Sequence, residues 1–410
     1  MTQPSPPPPP LPPRTAVTSR GIARQSDAGS EGLRVAMFVH VLDDRAISRV
    51  VGVLSREIAS RGVRVDVVAA SSTDAGRARL PVEVGFVDLH VDPARKTSRA
   101  VPALVRWLRR ARPEVLFAHG EGPARAAVMA RLLARVDTAV VVVEHTHGRT
   151  FRRASRVRTA ATRFLYPRAA VVAGVAPAVV EEVEAIVPAV RGRTAVLPSV
   201  GPDPSELPAR IAAPPDHPWF EGDGVPFVIV SVANIVARKG QDVLVRALPA
   251  IRSAVGDARL LLIGRVDEPD FGTELQRLAD GLGVADQVCV LGYREDPLPL
   301  VARCRVGALA SQTEGLPMSL LEAMTCGLPV VSTDCPAGPA YLLEQGKSGL
   351  LVPVGDSDSM ARAVIRIAQD DELRAELIER GRERAAAFSP AAVATRYLDV
   401  VTQLTASPAG

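Results

Sequence analysis

Lysine is nearly missing from this sequence: Lys96, Lys239 and Lys347 are the only three among 49 basic residues. Arg-rich, Lys-poor usage is mostly a signature of genome composition, and it makes each remaining lysine informative. Cysteine is scarce as well. Cys289, Cys304, Cys326 and Cys335 form no C-x-x-C pair, and no histidines cluster beside them. This argues against zinc and against a disulfide framework, and for a reducing, cytoplasmic compartment. No apolar run approaches the roughly 20 residues needed to span a bilayer. The N-terminus lacks the apolar stretch of a secretory signal. Nor is one charge in large excess: a net +4 over 410 residues does not by itself suggest a nucleic-acid partner.

What is present is globular. The chain is 47% hydrophobic and 23% charged, and its length calls for two domains. Residues 1–32 are rich in Pro, Ser and Arg and are expected to be a disordered tail. From Arg34 onward, short apolar runs alternate with helical spacings. Val50, Val51, Leu54 and Ile58 recur with helical period, and Arg61-Gly62 stops that helix. Strand runs follow near residues 63–69, 84–87, 115–118, 139–143, 169–173 and 194–197. Such alternation means a parallel sheet with helices on both faces. The rhythm breaks in a Pro-rich, aperiodic stretch and then resumes. The expected organisation is a first Rossmann-like domain over 33–202, a linker over 203–223 and a second Rossmann-like domain over 224–388. A C-terminal helix over 389–410 is expected to pack back toward the first domain. The fold class is α/β, two doubly wound domains facing across a cleft.

The densest chemistry lies between Ser311 and Pro336. An apolar run, Val306 to Ala310, leads into a Gly/Pro loop holding Glu314 and then a short helix holding Glu322. A strand's carboxyl end leading into a helix N-terminus is where open α/β sheets bind ligands, and the free N–H groups there attract phosphate. Glu322 also has an ordinary reading: Ser319-x-x-Glu322 before an apolar helix is a capping box. Glu314 reads otherwise as an exposed loop carboxylate, and Lys239 as a surface lysine at a helix start.

The segment Glu314-Gly-Leu-Pro-Met-Ser-Leu-Leu-Glu322-Ala-Met resembles the E-x7-E signature of the family 4 retaining glycosyltransferases, which have the GT-B fold. Val232-Ala-Asn-Ile-Val-Ala-Arg-Lys239-Gly240 resembles the first strand and loop of that family's donor domain. Leu262-Ile-Gly264, Val290-Leu-Gly292, Asp334-Cys-Pro-Ala-Gly338-Pro339 and Gly349-Leu-Leu-Val-Pro-Val-Gly-Asp356 follow the family order. The resemblance covers residues 33–405, more strongly in the second half. It implies that Lys239 binds the donor diphosphate and that Glu322 accepts hydrogen bonds from ribose hydroxyls. Glu314 and His145 would contact the transferred sugar, which makes Glu314, His145 and Lys239 the catalytic candidates. Asn234, Arg238, Gly264, Arg265 and Gly315 would line the nucleotide-sugar site, with the N–H groups of Met318, Ser319 and Leu320 capping phosphate. The implied donor is a UDP-sugar, with no other cofactor and no metal. The implied acceptor is a glycan or lipid-linked intermediate.

Three positions depart from the family pattern. Asn234 stands where an arginine usually shares the diphosphate with the lysine, unless Arg238 or Arg265 replaces it. Leu42-Asp43-Asp44-Arg45 stands where Gly-Gly is common, which removes permissive backbone. Tyr341 stands where Glu is usual. These leave two alternatives open: a GT-B nucleotide-sugar epimerase or hydrolase, and a non-catalytic nucleotide-sugar-binding paralogue.

The remaining motifs are weaker. His145 and His147 sit two apart on a loop with no third metal ligand in sight. His119-Gly120-Glu-Gly122 continues with Arg125 where a dinucleotide fingerprint needs glycine. Asp356-Ser-Asp358 precedes a helix and reads as an N-cap. Arg106 to Arg110 and Arg149 to Arg168 are either solvated helix faces or a peripheral contact with anionic lipid on the inner face of the plasma membrane.

Overall fold

A computed structural model describes residues 32–145, 156–221 and 224–406. Residues 1–31 of the Pro-rich tail, His147 and the start of the second basic segment lie outside the described residues. The first sheet contains β1 (Arg34–Leu42), β2 (Arg64–Ser72), β3 (Gly85–Asp88), β4 (Val115–His119), β5 (Ala139–Glu144), β6 (Val171–Gly174) and β7 (Thr194–Val196). The second contains β8 (Phe227–Val232), β9 (Ala258–Ile263), β10 (Val288–Gly292), β11 (Val306–Leu309), β12 (Val330–Thr333) and β13 (Leu350–Val352). All pairings are parallel, in the orders β3-β2-β1-β4-β5-β6-β7 and β10-β9-β8-β11-β12-β13.

These strands form because their residues suit burial on both faces. A parallel sheet covered by helices on each side needs unbroken apolar strands, and Val140 to Val143 are four buried valines in a row. Alternate residues of β1 serve opposite cores. Ala36 and Phe38 join Leu104, Leu108 and Ala127, whereas Val35, Met37 and Val39 join Val51, Leu54 and Ile58. That second core also holds Val393, Ala394, Tyr397, Val400 and Val401 of the C-terminal helix, Pro390–Thr405. Its Tyr397 ring meets Phe117 at 4.9 Å.

Element ends differ in places from the expected ones. The helix Pro269–Gly281 starts on a proline rather than a side-chain cap, because proline at the first helical position is pre-set for the turn and lacks only an N–H that is unused there. The stretch 203–223 is not wholly aperiodic: it holds a helical turn, Leu207–Ile211, whose Arg210 is bidentate on Asp296 at 2.8 and 2.9 Å.

In each sheet the strand order reverses once, between β1 and β4 and between β8 and β11. Ligands of open α/β sheets bind outside the carboxyl ends at such switch points. Here the two carboxyl edges face each other. Asp44, after β1, is ion-paired with Arg265, after β9. Arg79 meets Glu295 at 2.8 Å.

Candidate active site

The loop after β8 forms one wall. Its turn Ala237–Lys239 ends at Gly240, with φ of +66°. A Cβ there would lie 2.2 Å from the carbonyl of Ala310, so glycine lets this loop press against the end of β11. The approach brings Lys239 to Glu314, Nζ to Oε1 at 2.5 Å. Ser311 Oγ donates to the same oxygen at 2.6 Å, and Gln312 N donates to the carbonyl of Arg238 at 2.9 Å. Lys239 is therefore an inward lysine, 15% exposed, held by a carboxylate 11% exposed. Neither residue is the solvated surface group of the ordinary reading.

Glu322 corrects the capping-box reading. The helix is Met318–Thr325, its N-cap is Pro317, and no side chain caps it. Ser319 is the second helical residue, so the box cannot form. The N–H of Leu320 is already donated to the carbonyl of Pro317 at 3.1 Å. Only Met318 and Ser319, among the three proposed phosphate donors, keep N–H groups without an acceptor among the described residues. The Glu322 carboxylate has no hydrogen bond or ion pair among the described residues either. Burial pushes its pKa above the usual glutamate value, while Arg49 and Arg210 pull it down and Asp296 pushes it up. A half-buried carboxylate that its own helix does not use calls for a partner from elsewhere.

The positively charged candidates are differently employed. Asn234 Nδ2 donates to Asp267 at 2.6 Å. Arg265 does not take the place of the missing arginine in this structure: it is bound by Asp44 and lies over the Tyr293 ring at 4.4 Å. Arg238, half-buried, has no acidic partner among the described residues. Gly264 carries the β9 loop against the backbone of Ala233 and donates its N–H to Gly292 at 3.0 Å. Tyr341 is a packing residue, edge-on to Phe388 at 6.1 Å with Arg384 over its ring. Asp356 caps the helix Ser357–Gln369 by accepting from Ser359 N at 2.9 Å, as its sequence position predicts.

On the opposite wall, His145 follows β5, and its carbonyl packs against Gly315. Its Nε2 lies 3.1 Å from Nδ1 of His119, at the end of β4. Burial lowers the pKa of His145 to about 4. Burial, and then the charge of His145, depress that of His119. Both rings are neutral near pH 7. Beneath them Glu144 is buried and accepts from Tyr166 Oη. Its burial raises the carboxyl pKa to about 7, a shift that the Tyr166 hydrogen bond opposes. The structure thus gathers Lys239, Glu314, Gly315 and His145 into one cleft. Arg49, Arg210 and Asp296 beside Glu322 were not singled out in the sequence, since nothing in their spacing marks them. His119 drew notice only for the glycines after it. Among the described residues no group of three or more metal-ligating side chains is assembled.

Two family models match the chain in succession. The model described as Glycosyltransferase Family 4 covers residues 47–199, and Glycosyl transferases group 1 covers residues 219–384. The lipopolysaccharide core biosynthesis glycosyltransferase LpsE of Rhizobium meliloti is 34% identical over 194 residues, 47% of this chain and 52% of the relative. A GDP-mannose-dependent alpha-(1-6)-phosphatidylinositol monomannoside mannosyltransferase of Mycolicibacterium smegmatis is 36% identical over 167 residues, 38% of this chain and 43% of the relative. The chain therefore spans about half the length of these curated relatives. Among solved structures, HepE of Anabaena in complex with UDP and glucose superposes with a TM-score of 0.70 at 18% identity, covering 90% of this chain and 100% of that one. With both domains matched in order and the two-sheet architecture in place, the chain belongs to the family 4 glycosyltransferases of the GT-B fold.

Proposed function

We propose that this chain is a retaining glycosyltransferase that moves a hexose or N-acetylhexosamine from a UDP-sugar to a glycan or glycolipid acceptor of the cell envelope. The observation that carries this is Glu322, half-buried and without a hydrogen-bond or ion-pair partner among the described residues, on the helix that follows the Lys239–Glu314 pair at a sheet switch point. Departure of a nucleoside diphosphate builds negative charge on the phosphate, and preorganised cations and N–H groups stabilise it. Lys239, Arg238 and the N–H groups of Met318 and Ser319 supply them, so positive charge comes from the protein and the reaction is read as metal-independent. Glu322 takes the ribose hydroxyls, while Glu314 and His145 hold the sugar. The acceptor hydroxyl attacks on the leaving-group face and passes its proton to the departing phosphate, so no enzyme nucleophile is needed. The acceptor class follows the relatives, one named for lipopolysaccharide core and one for a phosphatidylinositol mannoside.

The test is donor turnover by the purified chain with UDP-sugars and, because one relative is GDP-mannose-dependent, with GDP-mannose. Transfer that requires an acceptor supports the proposal. Sugar release without an acceptor means an epimerase or hydrolase, and nucleotide binding without turnover means a non-catalytic paralogue. Glu322→Gln is expected to weaken nucleotide binding by about tenfold to a hundredfold, the worth of charge-assisted hydrogen bonds, with an unchanged or higher Tm. Unchanged affinity together with a lower Tm would assign Glu322 to the fold instead.

A lipid-linked acceptor calls for a membrane-facing surface, and the first domain has one of suitable chemistry. Met129 and Leu133 on the helix Glu121–Ala134, and Val157 and Phe164 on the helix Arg156–Leu165, are exposed. Arg131, Arg163 and Arg168 lie among them, and no helix among the described residues is long and apolar enough to cross a membrane. Apolar side chains ringed by arginine suit an anionic interface. Binding to vesicles is expected to rise with anionic lipid and to fall in a Phe164→Ser, Leu133→Ser variant. Co-sedimentation indifferent to lipid charge removes this part of the reading.

A further inference from the structure

His119 ends β4 and His145 directly follows the neighbouring strand β5, the pairing of the two running to His119↔Val143. With Nδ1 of His119 3.1 Å from Nε2 of His145, one nitrogen must carry the proton and the other the lone pair. The surroundings decide which. His119 is 2% exposed, and its Nε2 is buried without a hydrogen-bond partner among the described side chains. The face of its ring lies parallel to Tyr397 of the C-terminal helix, 6.3 Å between centroids and 11° between planes. As for backbone groups, orphaned buried N–H groups are rarer than under-satisfied acceptors. Placing the His119 proton on Nε2 would bury a donor with nothing to receive it. Placing it on Nδ1 spends it on His145.

We propose that His119 is a positioning residue that fixes the tautomer of His145. It donates from Nδ1 to the His145 Nε2, so that His145 carries its own proton on Nδ1 and presents an N–H donor at the carboxyl end of the first sheet. The second ring nitrogen of a histidine is set in this way by the bond the first one makes. A donor at Nδ1 suits a sugar oxygen that must be held without being deprotonated, whereas the opposite tautomer would offer a lone pair and demand a hydroxyl proton. The inference rests on the reading above only for what His145 touches. The tautomer itself follows from the pair and its burial. Both rings resist a second proton near neutral pH, so each carries one in the resting state.

The experiment is 15N NMR of the full chain with labelled histidine, read without substrate, alongside donor turnover and nucleotide affinity. In the native protein His145 is expected to be protonated on Nδ1 and bare on Nε2. His119→Asn keeps an amide donor near the Nδ1 position and is expected to hold that tautomer with near-native kcat. His119→Gln moves the amide toward the Nε2 position. It is expected to release the tautomer and to lower kcat by about tenfold, the worth of one hydrogen bond, with nucleotide affinity unchanged. A His145 protonated on Nε2 in the native spectrum overturns the proposal, as does equal behaviour of the Asn and Gln variants. A correct tautomer in a protein that transfers no sugar overturns the glycosyltransferase reading and leaves the positioning assignment standing.

Discussion

Lys239→Met is expected to lower kcat by about a hundredfold to a thousandfold, the range for removing one preorganised charge-stabilising donor, while the protein stays folded. Arg238, on the same turn, adds positive charge but not a second ammonium paired with Glu314. Lys96 and Lys347 are the other lysines, and neither pairs with Glu314 among the described residues. Arg265 is bound to Asp44, and the family's usual arginine is Asn234, turned to Asp267. Methionine also leaves Glu314 without its cation. That carboxylate keeps the Ser311 hydrogen bond but then faces an incoming diphosphate with its charge uncompensated. Part of the loss is therefore repulsion, which the double variant Lys239→Met, Glu314→Gln separates from lost attraction. Recovery of nucleotide affinity without recovery of kcat is expected in the double variant, because the transition-state cation is still missing. Lys239→Arg should recover little, since a planar fork cannot reproduce a compact ammonium between a carboxylate and a phosphate. Steady-state kinetics with thermal melts decide the matter. A kcat within threefold of native in Lys239→Met would remove Lys239 from the mechanism.

The two sheets were readable because parallel strands buried on both faces advertise themselves as apolar runs. The helical recurrence of Val50, Val51, Leu54 and Ile58 falls inside the helix Ala46–Ala59, and the runs 115–118 and 139–143 fall inside β4 and β5. Helix starts were less legible where a proline or a backbone hydrogen bond does the work of a side-chain cap. Pro317 took the position that Ser319 was read as filling, and this changed the meaning of Glu322. The second-domain wall was visible because its residues lie within short motifs. The partnership of Asp44 with Arg265 was not: the two are 221 residues apart and meet only when two domains close. The acidic departure after β1 is thus a cross-cleft ion pair in this structure. Arg49, Arg210 and Asp296 likewise converge on Glu322 from three separate segments, and no local spacing announces such a meeting. His119 was hidden differently. It lay in plain sight at a strand end, but its meaning depends on a neighbour from the next strand.

Gly315→Ala is expected to reduce kcat by about a hundredfold, the cost of displacing catalytic groups by roughly 1 Å, with nucleotide affinity changed less than threefold. The reason is contact on two sides. A Cβ at Gly315 would lie 2.0 Å from the carbonyl oxygen of His145, and a Cβ at Gly338 would lie 2.1 Å from the carbonyl oxygen of Gly315. The loop is wedged between the end of β5 and the start of the helix Gly338–Leu342, and both obstacles are backbone. No side-chain rotation relieves the clash, so backbone must shift, and the expected shift parts the two walls of the cleft. Separation moves Glu314 away from His145, which sit on opposite walls of the cleft. It leaves Lys239 and Glu322 together, because both belong to the second domain. Nucleotide binding and sugar transfer are thereby uncoupled by one methyl group. Isothermal titration with UDP, kinetics, and small-angle scattering for the domain separation measure the three parts. Native kcat would show that His145 and Glu314 need not approach each other, and lost nucleotide affinity would show that the first domain holds the donor as well.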